Sequence, residues 1–357
     1  MRRAGKNMLK NRFYALFVFA IIVIYGCAAP TPKEVKLIYP SPPEEPRLVY
    51  LKSYSGESNF KKKGFLEFVL GEEQFRVELK KPYGVTAYGD KMYVTDTGSA
   101  VVFVFDLKEQ KVTFMGDKDT GKLALPIGVA VSADGTVFVS DAKQKRVFGY
   151  DANGNMKIAL GKKDEFKNPA GIAVNNDIGR LYIVDSYGQM VHVYSTKGEP
   201  LFTFGARGDE DGKFNFPSNA AIERKTGNIY IVDTQNFRVQ VFDKDGKFIK
   251  KFGQIGDAPG TFTRPKGIGI DSDGHIYVAD AAFDNFQILS DKGELLLFIG
   301  GPGHDPGYFW LPAGVYVDEK DRVYIVDSYN RRVQVFQYLS ERWKKENPEK
   351  HKEYLMK

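Results

Sequence analysis

The sequence predicts an all-β chain folded as a six-bladed β-propeller, its ring closed by a strand drawn from before the first repeat. Three observations predict it. First, six segments share one plan: Pro-x-Gly, an apolar strand, a polar turn, a second strand ending in Asp, a turn, and a third alternating strand. Their prolines are Pro82, Pro126, Pro169, Pro217, Pro265 and Pro312, spaced 44, 43, 48, 48 and 47 residues apart. Second, apolar and polar residues alternate within each segment between turns of Gly, Asp and Asn, the mark of an antiparallel meander. Third, repeats one to five continue into a fourth strand, such as Phe248 to Gly253, whereas the sixth turns polar after Tyr338. A lone four-stranded sheet cannot hide its two faces; six of them packed radially bury both and leave only short edges.

Read from the start, the first 26 residues carry five cations (Arg2, Arg3, Lys6, Lys10, Arg12) and no acid, and they end in a 13-residue apolar run, Phe13 to Tyr25. That is the layout of a secretory signal. The run is short of the about 20 residues a transmembrane helix needs. It closes on Ile24-Tyr25-Gly26-Cys27, which resembles the bacterial lipobox, with Tyr25 where a smaller residue is usual. The resemblance implies removal of residues 1–26 and a lipid on Cys27. Ala28 in place of Asp implies sorting to the outer membrane, with the domain facing the periplasm. Cys27 is the only cysteine, so no disulfide and no thiolate metal site is expected. A free thiol in an oxidising compartment would be a liability unless modification consumes it.

Loss of the signal also corrects the charge. Of 51 Lys and Arg residues five leave, so 46 face 45 acids and the mature chain is nearly neutral. A nucleic-acid partner is not expected on these numbers. Residues 27–46 follow, and the 19 from Ala28 to Pro46 include six prolines, the composition of an extended tether. Residues 47–338 are assigned to the propeller and 339–357 to a polar tail of helical tendency. The outer strand missing from repeat six is expected from Arg47 to Tyr54. Phe65 to Leu70 is the alternative, because Gly71 lies 11 residues before Pro82 much as Gly205, Gly253 and Gly300 lie 12 before theirs.

The repeat is plainest in the sixth copy: Pro312-Ala313-Gly314-Val315-Tyr316-Val317, Arg322-Val323-Tyr324-Ile325-Val326-Asp327, Arg332-Val333-Gln334-Val335-Phe336. This pattern resembles the NHL repeat family over about Lys81 to Tyr338. It departs at Asn219, which replaces the Gly of Pro-x-Gly, and at Gly188 and Phe283 in the second turns. The resemblance implies a non-enzymatic protein-binding or scaffold propeller with an extracytoplasmic protein partner. Its rivals are a propeller enzyme of the lyase or lactonase type and an RNA binder.

Asp96, Asp141, Asp185, Asp233, Asp280 and Asp327 recur at the end of the second strands, where Asp oxygens satisfy turn amides. A metal site needs convergence at one point, so these read as structural. His192, His275, His304 and His351 are spread over a strand, the two opposite ends of the ring and the tail; no metal or other cofactor is expected from them. Asp209-Glu210-Asp211-Gly212 resembles a fragment of a calcium loop but lacks the distal Glu. No nucleophile elbow or phosphate loop occurs. Aromatics interleaved with cations and amides are expected to form the partner-binding face: Tyr83, Tyr187, Phe237, Lys266, Phe283, Tyr329, Asn330 and Arg331, with Lys143, Gln235 and Asn236 beside them.

Overall fold

The computed structural model describes residues 37–60, 77–118 and 120–355. The signal, Cys27, most of the tether and Phe65–Leu70 therefore lie outside the described residues. Within them, six sheets form a propeller: five of four strands and one of five. Blade one runs Pro82–Tyr88, Lys91–Asp96, Val101–Asp106, Lys111–Met115, and each blade meanders outward from its Pro-x-Gly strand.

The Gly of Pro-x-Gly is required by close approach. A Cβ on Gly84 would run into the carbonyl of Ile127 in blade two, one on Gly128 into Ala170, one on Gly267 into Ala313, and one on Gly314 into Tyr83 of blade one. The inner strands pack main chain against main chain around the ring. Hydroxyls flanking the repeat Asp tie the same strands together: Thr95 Oγ1 donates to Ile127 O (2.7 Å), Thr234 Oγ1 to Pro265 O (2.9 Å), and Ser328 Oγ to Pro82 O (2.7 Å), which joins the last blade to the first.

Closure comes from Leu48–Tyr54. This strand pairs antiparallel with Arg332–Tyr338, from Leu48↔Tyr338 to Tyr54↔Val333. Its apolar residues explain the choice: Leu48, Val49 and Tyr50 are buried, and the Tyr50 ring meets Phe336 edge-on at 5.5 Å. Leu48 and Tyr50 join a cluster shared by blades five and six, while Tyr54 contacts Phe105 of blade one.

The tether expectation needs one correction. Ile38–Tyr39 forms a fifth strand on blade six (Ile38↔Val49, Tyr39↔Leu48), so the sheet reaches nine residues before Arg47. Leu37 and Tyr39 are the reason, packing against the blade-six cluster, and burial pushes the Tyr39 hydroxyl up to about 12. The tail is helical over Glu341–Glu346 and Pro348–Leu355. Ser340 caps the first helix, and Arg342 reaches the buried carboxylate of Asp321 at 2.9 Å.

Candidate functional site

The six repeat aspartates are buried, and their carboxylates accept backbone N–H groups from the loop entering the same blade; the turn that follows adds a backbone N–H in blades one, two, three and five, and the side-chain amide of Asn236 or Asn330 in blades four and six. Asp96 takes Lys80 N, Lys81 N and Ser99 N; Asp141 takes Ala124 N, Leu125 N and Gln144 N; Asp280 takes Thr263 N, Arg264 N and Ala282 N. Each therefore spans two loops on one end of the ring. In blades four and six a cation is added: Arg238 Nε lies 2.9 Å from Asp233 and Arg332 Nε 2.8 Å from Asp327. Burial nevertheless raises the pKa of both carboxyls. At Asp185 burial pushes the same way, but His192 and the amides of Lys167, Asn168 and Gly188 outweigh it and the pKa is lowered.

His192 replaces the glutamine that blades four to six carry at this strand position, Gln240, Gln287 and Gln334. Each glutamine binds a carbonyl and an amide of the adjoining loop. His192 instead packs edge-on against Phe166 at 4.8 Å, with Nε2 buried and 3.7 Å from Asp185, beyond hydrogen-bond range. His304 Nδ1 is 2.6 Å from Asn330 Oδ1 on the Asp-loop end, His275 Nδ1 is 2.9 Å from Asp271 on the other end, and His351 sits in the second tail helix. Among the described residues no three His, Cys, Asp or Glu side chains group as metal ligands. In the 209–212 loop the carbonyls of Asp209 and Glu210 accept from Arg238, so that loop is held by an arginine of its own blade.

The residues expected on the binding face separate into two groups. Tyr187 and Tyr329 are 64% and 56% exposed, and Arg331 is exposed beside Tyr329. Lys143 and Gln235 are exposed on the same end. Phe283 and Lys266 are half-buried, and the Lys266 carbonyl accepts from Ser218 Oγ. Phe237, held at φ 54°, packs back onto the core of blade five, and Tyr83 packs between blades six and one. Asn330 spends its amide on Asp327 and Gly303 O, as Asn236 does on Asp233 and Gly208 O.

The face also holds aromatics that the sequence reading left out. Trp310, 44% exposed, stacks on Tyr329 (centroids 5.6 Å, planes 30° apart), and His304 meets Trp310 edge-on at 5.1 Å. Phe216, 40% exposed, meets Tyr187 edge-on at 5.6 Å. Trp310 and Phe216 stand one or two residues before a repeat proline. Topology alone places that loop beside the post-Asp loops, and an aromatic there is the signal that could have found them.

A cavity of about 650 Å³ fills the axis of the ring. Its lining runs from the glycine throat to the turns that join first and second strands, at Asp90, Asp177 and Glu319, so it opens on the end away from the repeat aspartates. Arg224 of blade four spans its mouth, donating to Asp318 O (3.1 Å) and Val317 O of blade six.

Fold and site together define a six-bladed β-propeller with exposed aromatic pairs on one end and an axial cavity opening on the other. A six-bladed β-propeller family matches residues 209–285, and the NHL repeat family matches 309–336. No curated protein matches the chain. Among solved structures the chain is similar to a virginiamycin B lyase from Staphylococcus aureus, at 14% identity and TM-score 0.55 over 83% of this chain and 89% of that one. It is similar to a gluconolactonase from Xanthomonas campestris, at 14% identity and TM-score 0.58 over 87% and 99% of the two chains. An auxiliary nutrient binding protein from Bacteroides thetaiotaomicron gives 16% identity and TM-score 0.57 over 73% and 70%. Such likeness establishes the fold and leaves function to the site.

Proposed function

We propose that the protein is a non-enzymatic binding propeller of the cell envelope, anchored by a lipid on Cys27 and engaging an extracytoplasmic protein through its Asp-loop end. The observation that carries the binding reading is the stacked Trp310–Tyr329 pair, two large rings about half exposed on a loop surface. Aromatic side chains lose little conformational entropy on docking and contribute much contact area, which is why they anchor interfaces. Tyr187 and Phe216 supply a second anchor on blades three and four. The anchor reading rests on the lipobox-like run before a sole cysteine. Crosslinking and affinity purification from envelope extracts test both parts together. The wild-type chain should recover a protein that Trp310→Ala/Tyr329→Ala loses, and Cys27→Ser should abolish labelling by an alkyne fatty acid. Equal fatty-acid labelling of wild type and Cys27→Ser sinks the anchor, and equal recovery by the double variant sinks the face.

A second reading, a lyase- or lactonase-type enzyme, draws on the axial cavity and on Arg224, whose guanidinium crosses the mouth with main-chain carbonyls as its partners. Lactone hydrolysis by the purified chain, lost in Arg224→Gln, would favour it over the binding reading.

A further inference from the structure

Blade six differs from its neighbours at a place that neither reading uses. In blades three to five the turn joining third and fourth strands reaches over the preceding blade. A Cβ on Gly198 would run into Ile158 of blade two, one on Gly246 into Phe204 of blade three, and one on Gly293 into Phe252 of blade four. Blade six has no such turn, because its third strand leaves at Tyr338 and its outer strand arrives through Arg47. Blade five is left with a notch of about 270 Å³, walled by Ile288, Leu296 and Leu297 on one side and by Leu48 and Leu339 on the other.

The rim of this apolar notch is charged, and most of its charges are already matched. Lys344 Nζ sits 2.6 Å from Glu45 and 2.9 Å from Glu341, and Asp273 accepts from the Tyr338 hydroxyl. Buried Asp271 accepts from Tyr277 Oη and His275 Nδ1 on one oxygen and from two turn amides on the other. With Nδ1 held there, Nε2 is the His275 nitrogen left for the notch. The Tyr338 ring, edge-on at 5.3 Å, fixes the plane of the imidazole. Arg47 senses Glu45, but that carboxylate is bound to Lys344, so the guanidinium is the rim cation without its own carboxylate among the described residues.

We propose that the notch binds a small monocarboxylate with an apolar tail, the tail on Ile288, Leu296 and Leu297 and the carboxylate between Arg47 and His275 Nε2. Apolar walls with a few convergent polar groups are the makeup of a small-molecule site, and an arginine fork matches a carboxylate. The hydrogen bond to Asp271 raises the His275 pKa against burial, which extends the pH range over which the ring is a cation; Arg47 opposes this, while Asp271 and Asp273 favour it.

Calorimetry on the full chain tests the assignment with octanoate as probe and octanol and octylammonium as controls. Octanoate should bind at one site. Arg47→Gln should weaken it about tenfold, the loss of one charge-assisted contact, and Leu297→Trp should fill the notch and abolish it. Binding should also weaken as pH rises through the raised His275 pKa, and this slope should vanish in His275→Gln. Failure of octanoate to bind, equal binding of octylammonium, or unchanged affinity in Arg47→Gln overturns the proposal. If Leu297→Trp misfolds, the Arg47→Gln comparison still decides. None of these outcomes bears on the Asp-loop face, whose test reads a protein partner.

Discussion

Blades one to five are each a continuous stretch of chain; blade six takes three strands from the C-terminal repeat and two from residues 38–54. The same repeat therefore meets two kinds of construction in one ring. A blade made of one stretch brings its own turn, which covers its neighbour. A blade made of two ends must improvise the cover, here from Leu339, the first tail helix and the incoming Glu45–Leu48 segment. The improvisation leaves a notch, and blade six also carries the Trp310–Tyr329 stack on its opposite end. Irregularity arises where the chain ends meet, and so do the best candidates for binding.

The largest effect should come from undoing that closure. Deleting through Ser55 removes the buried Leu48, Val49 and Tyr50, each worth ~1.5–3 kcal/mol, from a fold whose whole margin is ~5–15 kcal/mol. Thermal melts should show an unfolded or molten chain. Deleting residues 28–36 alone should leave the melting temperature unchanged, and removal through Pro46 should fall between, because Leu37 and Tyr39 go with it. An unaltered melt after deletion through Ser55 would show that the ring closes some other way.

The repeat aspartates should separate the blades next. Asp327→Asn leaves the partly buried Arg332 without its counter-charge and should cost ~3–5 kcal/mol. Asp96, which accepts main-chain amides and no arginine, should cost ~1–3 kcal/mol as Asp96→Asn. Equal losses in denaturant titrations would mean that the cation adds nothing to blade six. On the aromatic face, Tyr329→Ala should weaken a captured partner by ~2 kcal/mol, about thirtyfold, with the melt unchanged. Tyr187→Ala gives the matching figure for blades three and four, and the larger loss identifies the dominant anchor.

The smallest expected effect is a pH dependence at the notch. Folding raises the His275 pKa, so the folded chain holds that proton more tightly. The resulting stability is fully present below the unfolded value of ~6.5 and is lost as pH rises through the raised folded value. Wild type should therefore lose part of its advantage over His275→Gln across that window, read as the difference between two melting curves. A constant difference would remove the Asp271–His275 pair from the account.

Much of this was legible in the sequence because repetition amplifies weak signals. Six strand-opening prolines, five of them in Pro-x-Gly, and six strand-ending Asp residues fix blade number and register, and the alternation from Arg47 to Tyr54 identifies the closing strand. Ile38–Tyr39 was not legible, since two residues among prolines carry no period, and what selects them is packing of Leu37 and Tyr39 on a surface assembled elsewhere. The face was half legible. Loop position located Tyr187 and Tyr329 but could not tell that Phe237 turns inward while Trp310 stays out. Of the notch only the cause was legible, the missing third-to-fourth turn of repeat six; that blade five is left uncovered there depends on packing between blades.

Stitching both chain ends into one blade also has a mechanical consequence. A pull applied at Leu37 reaches blade six first across the two-residue ladder at Ile38–Tyr39 and then across the seven-residue strand behind it. The short ladder acts as a fuse. It can part while Leu48–Tyr54 still holds the circle shut, so that modest force frees about ten residues without unfolding a blade.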